Sequence, residues 1–176
     1  MERVGSRVVY EGPIASVRID SFRFDDGEVA ERQVVTHPGA VAVVAHDDEF
    51  VYLVRQPREA VGEAALLELP AGKLDVEGEV PLDCAKRELA EEISKGAAEW
   101  TELKRFYTSP GFAEEEVILY LATGLEDVEG EPDRGERIEV VPWRLGDLDG
   151  ALAECRDSKS LIGLLRFRQM REGSEA

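Results

Sequence analysis

Residues 40–45 form an uninterrupted run of six apolar side chains, and this run limits the possible folds more than any other segment. It is far shorter than the ~20 apolar residues that a membrane-spanning helix needs. An apolar run of this length is typical of a β-strand that is buried on both faces. A strand of that kind must be covered on both sides, so we expect a layered domain around it.

Apolar patterns elsewhere predict more strands and a few helices, and therefore the α/β (α+β) class. Residues 7–35 contain short β-like pieces separated by turn signals, of which Asp25-Asp26-Gly27 favours a hairpin. Pro81 suits the first turn of a helix, whose apolar stripe recurs at helical spacing. Further strands are expected at residues 50–54, 66–69, 106–107, 117–122 and 138–143, and further helices at residues 148–155 and 160–170.

Composition indicates one globular chain and excludes some classes of partner. The 176 residues are 43% apolar and carry a formal charge of −17. Such a surface repels polyanions, so we expect no nucleic-acid partner, and an anionic substrate would need bound cations. Two separated cysteines predict neither a disulfide framework nor a thiolate zinc site. Without a signal-peptide pattern or a membrane span, we expect a cytoplasmic protein.

An acidic helix face is the strongest chemical feature of the sequence. Glu88, Glu91 and Glu92 stand at i, i+3 and i+4, hence on one face of the predicted helix. A cluster of oxygen ligands on a rigid helix suits hard divalent cations such as Mg²⁺. A glutamate-rich face is more often plain solvated surface, so the three residues alone do not decide the matter.

The residues before this face favour function. Gly72, Glu79 and Arg87 precede Glu88 at fixed spacing. At this chain's glutamate content and ordinary Gly and Arg usage, the whole pattern should arise by chance on the order of once in 10⁴ such chains. It resembles the Nudix box, G-x5-E-x7-R-E-U-x-E-E-x-G-U, where U is a bulky apolar residue. Four flanking stretches resemble the ADP-ribose pyrophosphatase branch of the Nudix hydrolases: residues 54–58, 69–73, 107–112 and 157–165.

The resemblance implies a fold and an activity. The fold would be a mixed β-sheet sandwiched between helices, with a small N-terminal antiparallel β subdomain at residues 1–36 and a Nudix domain at residues 37–176. The activity would be metal-dependent cleavage of ADP-ribose, a nucleoside diphosphate sugar, to AMP and ribose 5-phosphate. Members of the branch form homodimers in which N-terminal strands cover the partner's site, so a homodimer is expected here.

The resemblance also assigns roles within the box. Glu88, Glu91, Glu92 and the main-chain carbonyl of Ala71 would hold two or three Mg²⁺ or Mn²⁺ ions. Glu79 and Arg87 would form an ion pair that supports the site.

Outside the box, the loop at residues 109–116 matches the family spacing that places a general base at Glu115. Its neighbours Glu114 and Glu116 remain alternatives for that role.

Three further residues match positions that bind substrate. Arg58 carries a guanidinium fork that suits a phosphate or carboxylate, although a surface arginine would look the same in the sequence. Glu68 matches a position near the substrate ribose, and its alternative is a charge at a strand end. Gly111 lies in the loop that carries Glu115.

The sequence departs from the box at two points. Six residues rather than five separate Gly72 from Glu79. Ser94 and Lys95 replace the glycine and apolar residue that end the box, and we expect Gly96 to supply the left-handed residue there.

Two other functions stay open. One is the same chemistry on another nucleoside diphosphate sugar. The other, from a different class, is a non-catalytic Nudix-fold ligand sensor, which would not need a base and a complete carboxylate set.

Overall fold

The computed structural model describes residues 1–13, 15–130, 135 and 137–174. Two β-sheets and three α-helices make up this part of the chain. The strands are β1 (Glu2–Glu11), β2 (Ser16–Arg23), β3 (Val29–Thr36), β4 (Ala40–His46), β5 (Phe50–Arg58), β6 (Glu63–Glu68), β7 (Ala71–Lys73), β8 (Lys95–Tyr107), β9 (Glu116–Asp127) and β10 (Glu139–Arg144). The helices are α1 (Pro81–Ile93), α2 (Leu148–Glu154) and α3 (Ser158–Ser174), and none of these described helices is long and apolar enough to span a membrane.

The N-terminal sheet is antiparallel in the order β1-β2-β3. The turn between β2 and β3 contains Gly27 at φ 88°, and the Asp26 carboxylate accepts a hydrogen bond from the Glu28 N–H at 3.0 Å. The hairpin predicted from Asp25-Asp26-Gly27 is therefore present. Every residue of β1 is exposed.

The larger sheet is mixed. Its main path is β10-β5-β4-β9-β8, while β6 pairs with β5 and β7 pairs with β4. Strand β4 runs parallel to β9 and antiparallel to β5 and β7. Residues 40–45, the apolar run of the sequence, lie at the centre of this sheet, as expected.

Alternate residues of β4 point into two separate cores. Ala42 and Val44 belong to the core that includes Leu164 and Phe167 of α3. Val41 and Val43 belong to the core that includes the buried side of α1. This is the predicted mixed sheet between helices, and it confirms the α+β fold class.

The left-handed residue after α1 is Ser94, at φ 54°, and the prediction that Gly96 would take this conformation is wrong. The Ser94 N–H donates to the Ala90 carbonyl at 2.9 Å. Lys95 already pairs with Asp127 in the sheet, so the chain must leave the helix within one residue. Pairing with a neighbouring strand therefore overrides the usual preference for glycine.

Two strands differ from their predicted form. Ala71–Lys73, for which the sequence predicted no strand, pairs with Ala40–Ala42 as β7. Strand β8 begins at Lys95, eleven residues before the predicted start at Phe106. Strand β8 pairs with β9 along most of its length. Because β8 is polar and largely exposed, its sequence lacks the apolar pattern from which a strand would be predicted.

Candidate active site

One of the three predicted ligands on helix α1 is buried against the sheet. Its apolar side packs Ala85, Leu89 and Ile93 against the sheet. Glu92 lies next to this buried side and is 4% exposed. Its Oε2 accepts a hydrogen bond from the main-chain N–H of Ala71 at 3.0 Å. The start of β7 and the acidic helix α1 are therefore in direct contact.

Gly72 makes a second contact with the same face. A Cβ atom at this position would stand 1.8 Å from Cδ of Glu88, so the Glu88 carboxylate would have to move from its observed place. Only glycine allows the backbone of β7 to approach the carboxylate so closely. The first residue of the box is thus explained by a steric requirement.

Arg87 connects the carboxylates to the loop before the helix. Its Nε and Nη2 donate to Glu79 at 2.9 and 3.1 Å, and the guanidinium holds the pKa of Glu79 below its usual value. Its Nη1 donates to both Glu88 and Glu91 at 2.8 Å. The Glu79–Arg87 ion pair implied by the family resemblance is present, and the same arginine also joins two predicted ligands.

This donor set suits a hard divalent cation. Oxygens of Glu88 and Glu91 both accept hydrogen bonds from the Arg87 guanidinium, so the two carboxylates already share one cationic partner. Carboxylate and carbonyl oxygens are also the ligands that Mg²⁺ prefers. Among the described residues, no three acidic, thiol or imidazole groups converge tightly enough to enclose an ion by themselves. Water and substrate oxygens would have to complete the shell, which is how Mg²⁺ is usually bound.

Cys84 lies beside this network but differs from it chemically. Burial, followed by the charge of Glu88, raises the pKa of the thiol to about 12. It is therefore neutral at physiological pH and belongs to the α1 core, as expected for a buried small side chain.

The predicted base Glu115 lies at the end of the loop before β9. Its Oε2 accepts a hydrogen bond from the Thr108 hydroxyl at 2.6 Å. His37 Nδ1 lies 3.6 Å from Oε1, but that nitrogen also accepts the Gly39 N–H at 3.2 Å. His37 therefore lies against the candidate base.

Strand β4 brings this loop towards the box. Its first residues pair with β7 on one side and with the start of β9 on the other. Between them lies Gly39, where a Cβ atom would stand 3.3 Å from both the Glu116 carbonyl oxygen and Cδ1 of Leu74. The loop of Glu115 and the segment that contains Gly72 therefore flank one end of β4.

Two predicted substrate residues bind each other. Arg58 donates through Nε and Nη2 to the two oxygens of Glu68 at 2.7 and 2.8 Å. Glu68 is 1% exposed, so it is a buried charge rather than a charge at the surface end of a strand. Gly111 lies on the exposed loop, and a Cβ there would meet no other atom within 4 Å.

Sequence reasoning missed the third member of this group, Lys159. Its Nζ lies 2.6 Å from Glu68 and 2.8 Å from Asp157. Burial raises the pKa of Glu68, but Arg58 and Lys159 outweigh this and hold it below its usual value. Asp157 in turn accepts the Ser160 N–H at 3.1 Å at the start of α3, a capping pattern that a reading of helix starts would have found.

Gln56, also not predicted, adds a polar group nearby on β5. It is 7% exposed, and its Nε2 has no hydrogen-bond partner in the described part of the protein. A buried donor of this kind is costly unless something accepts its hydrogen bond. The residue is therefore a candidate contact for a bound ligand.

Comparison with known proteins agrees with these observations. The family model "NUDIX domain" matches residues 35–161. The chain is 45% identical over 133 residues to an ADP-ribose pyrophosphatase of Mycobacterium tuberculosis, covering 75% of this chain and 63% of that protein. It is 36% identical to an ADP-ribose pyrophosphatase of Bacillus subtilis, covering 98% and 95%. It is also 35% identical to a methanol dehydrogenase activator of Bacillus methanolicus, covering 93% and 90%.

A solved structure supports the fold. The crystal structure of an ADP compounds hydrolase superposes with a TM-score of 0.86, covering 98% of this chain and 95% of that one, at 23% identity. The family model covers most of the chain and includes every predicted site residue. The chain belongs to the Nudix family.

Proposed function

We propose that this protein is a metal-dependent pyrophosphohydrolase that cleaves ADP-ribose to AMP and ribose 5-phosphate. The observation that carries the proposal is the close contact of β7 with the α1 carboxylates: Ala71 donates a hydrogen bond to Glu92, and Gly72 lies against Glu88. The two relatives named ADP-ribose pyrophosphatase support the choice of substrate.

Glu88, Glu91, Glu92 and the Ala71 carbonyl would hold two or three Mg²⁺ or Mn²⁺ ions. When bound, the ions would neutralise the diphosphate, polarise phosphorus and acidify a water molecule. Arg87 keeps two of the carboxylates oriented, while Glu79 orients Arg87. The arginine would remain as a support once the ions are present.

Glu115 would act as the general base. It takes a proton from water as the water oxygen bonds to phosphorus and the bond from phosphorus to the bridging oxygen breaks. Thr108 holds the Glu115 carboxylate in place by donating to one of its oxygens. Arg58 and Gly111 would contact the substrate, and the buried Glu68 would hold the Arg58 guanidinium in place.

We further propose that residues 1–36 form an N-terminal subdomain beside a Nudix domain at residues 37–176, and that the protein is a cytoplasmic homodimer. The fully exposed strand β1, which includes Val8, Val9 and Tyr10, offers an apolar surface for a second copy. Light scattering coupled to size-exclusion chromatography tests the assembly: a dimer mass is expected, and a monomer mass would contradict it.

The activity is tested by phosphate release over a panel of nucleoside diphosphate sugars. Alkaline phosphatase in the assay releases phosphate from the products but not from the intact diphosphate. ADP-ribose should be the best substrate, with Mg²⁺ or Mn²⁺ required and a Glu115→Gln enzyme as the matched control. Faster turnover of another sugar would change the substrate. Tight binding without turnover would favour the ligand sensor.

A second candidate function follows from the relative in Bacillus methanolicus, whose name describes a methanol dehydrogenase activator. The protein would then increase the rate of an alcohol dehydrogenase. Adding the wild-type protein or the Glu92→Gln variant to a methanol dehydrogenase tests this proposal. Activation by the wild-type protein but not by Glu92→Gln would link the two functions.

A further inference from the structure

The loop of Glu115 is attached to the N-terminal sheet through a side-chain ion pair. Arg18 on β2 donates through Nη1 and Nη2 to the two oxygens of Glu114, at 2.9 and 2.6 Å. This two-point geometry fixes both the distance and the orientation of the carboxylate. The two residues are 96 positions apart, so the pair joins distant parts of the chain.

Arg18 is itself held from behind by a buried carboxylate. Its Nε donates to Asp20 at 2.9 Å, and Asp20 is 1% exposed. Asp20 also accepts hydrogen bonds from Ser6 at 2.6 Å and Arg3 at 3.4 Å, both on β1. The Ser6 hydrogen bond, together with Arg18, keeps the pKa of Asp20 low despite its burial, so it stays charged at neutral pH.

Main-chain hydrogen bonds attach the same loop to β3. The Val35 N–H donates to the Phe112 carbonyl at 2.8 Å, and the Glu114 N–H donates to the Val35 carbonyl at 3.1 Å. Glu115 follows directly and is held on its other side by Thr108. The candidate base therefore lies between one attachment to the N-terminal sheet and one to the end of β8.

We propose that Arg18 is a positioning residue, which sets the location of Glu115 by holding Glu114 against the N-terminal sheet. The proposal rests on the proposed role of Glu115 as the base. It assigns the N-terminal sheet a function within its own chain, in addition to any contact with a partner. Glu114, rather than being a solvated neighbour of the base, is the point at which the loop is held.

The test compares Arg18→Ala, Arg18→Lys, Glu114→Ala and the double variant in the ADP-ribose assay. Misplacing a catalytic group by about 1 Å costs on the order of 10²-fold in rate, so each alanine variant should lose about 10- to 100-fold in kcat. KM should change far less. Lysine restores one charge contact but not the fork, so Arg18→Lys should recover part of kcat. The double variant should be no slower than the slower single variant, because each single variant already removes the Arg18–Glu114 ion pair.

A matched control is Arg168→Ala, which removes an ion pair to Asp149 between α2 and α3 and should leave kcat unchanged. Hydrogen exchange gives a readout independent of activity: the Glu114 amide should exchange faster in Arg18→Ala than in wild type or in Arg168→Ala. Unchanged kcat in Arg18→Ala, or additive losses in the double variant, would overturn the proposal. If Glu115→Gln retains full kcat, the base assignment fails. In that case unchanged Glu114 exchange in Arg18→Ala would show separately that Arg18 does not hold the loop.

Discussion

The main-chain N–H of Ala71 donates to the carboxylate of Glu92 across 21 residues of chain. This hydrogen bond orients the Ala71 peptide beside the most buried of the three α1 carboxylates. A glutamine at position 92 keeps an oxygen that can accept the same hydrogen bond but loses the charge.

Glu92→Gln should therefore separate chemistry from folding. We expect its rate to fall by at least ~10²-fold, in line with losses at metal sites elsewhere, while Tm without metal stays close to wild type. Assays with and without EDTA, together with thermal melting, check both parts. Full activity in EDTA, or in Glu92→Gln, would contradict the ligand assignment.

Gly72→Ala should damage the site through a steric clash. The new methyl would stand 1.8 Å from Cδ of Glu88 and must push that carboxylate aside. We expect weaker Mn²⁺ binding by calorimetry and a loss of rate comparable to that of Glu88→Gln. Gly146→Ala is the control, because a Cβ at position 146 meets nothing within 4 Å. Normal Mn²⁺ affinity and rate in Gly72→Ala would contradict a steric role for Gly72.

Glu115→Gln should lower kcat by ~10²–10⁴-fold, the usual contribution of a positioned base, and leave Mn²⁺ binding intact. Thr108→Val, which removes the hydroxyl that holds Glu115, should give a smaller loss in kcat. Glu116→Gln serves as the comparison and should be mild. A large loss in Glu116→Gln instead would move the base by one residue, and weakened Mn²⁺ binding in Glu115→Gln would make Glu115 a ligand.

Lys159→Met should destabilise the protein. Glu68 is buried and, among the residues that the structure describes, would keep only Arg58 as a cationic partner, so we expect a loss of about 1–3 kcal/mol in the free energy of unfolding at pH 7. The exposed pair of Lys86 with Asp83, at 3.7 Å, provides the comparison: Lys86→Met should cost less than about 1 kcal/mol. Urea denaturation measures both, and equal effects would contradict a structural role for Lys159.

Acid should remove the stability that the buried Glu68 and the half-buried Asp157 provide. The pKa of Glu68 is held below its usual 4.5, and that of Asp157 below its usual 3.8, although burial acts in the opposite direction on both. Groups of this kind bind protons more readily in the unfolded chain, so their stabilisation is fully present above pH 4.5 and is lost as pH falls through the folded values. The free energy of unfolding should be flat near neutral pH and decrease below about pH 4.5. Glu68→Gln should flatten that decrease, and an unchanged acid limb would contradict this.

Local patterns in the sequence were sufficient for the central strand and the acidic helix. Alternation along residues 40–45 decides which side chain enters which core, because neighbouring residues in a strand face opposite sides. The i, i+3, i+4 spacing places Glu88, Glu91 and Glu92 on one face of α1 for a similar reason. Periodicity is a property of the backbone, so these features required no knowledge of the rest of the fold.

Only the tertiary structure decided which distant residues support the site. Arg18 meets Glu114 across 96 residues, and Lys159 meets Glu68 across 91. An isolated charged residue in a sequence carries no mark of its partner, because the pairing depends on how separate strands and helices are stacked. The same holds for Ser94, whose left-handed conformation follows from the immediate start of β8. The residues of the box can be identified in the sequence, whereas the contacts of Arg18 and Lys159 form only when the chain is folded.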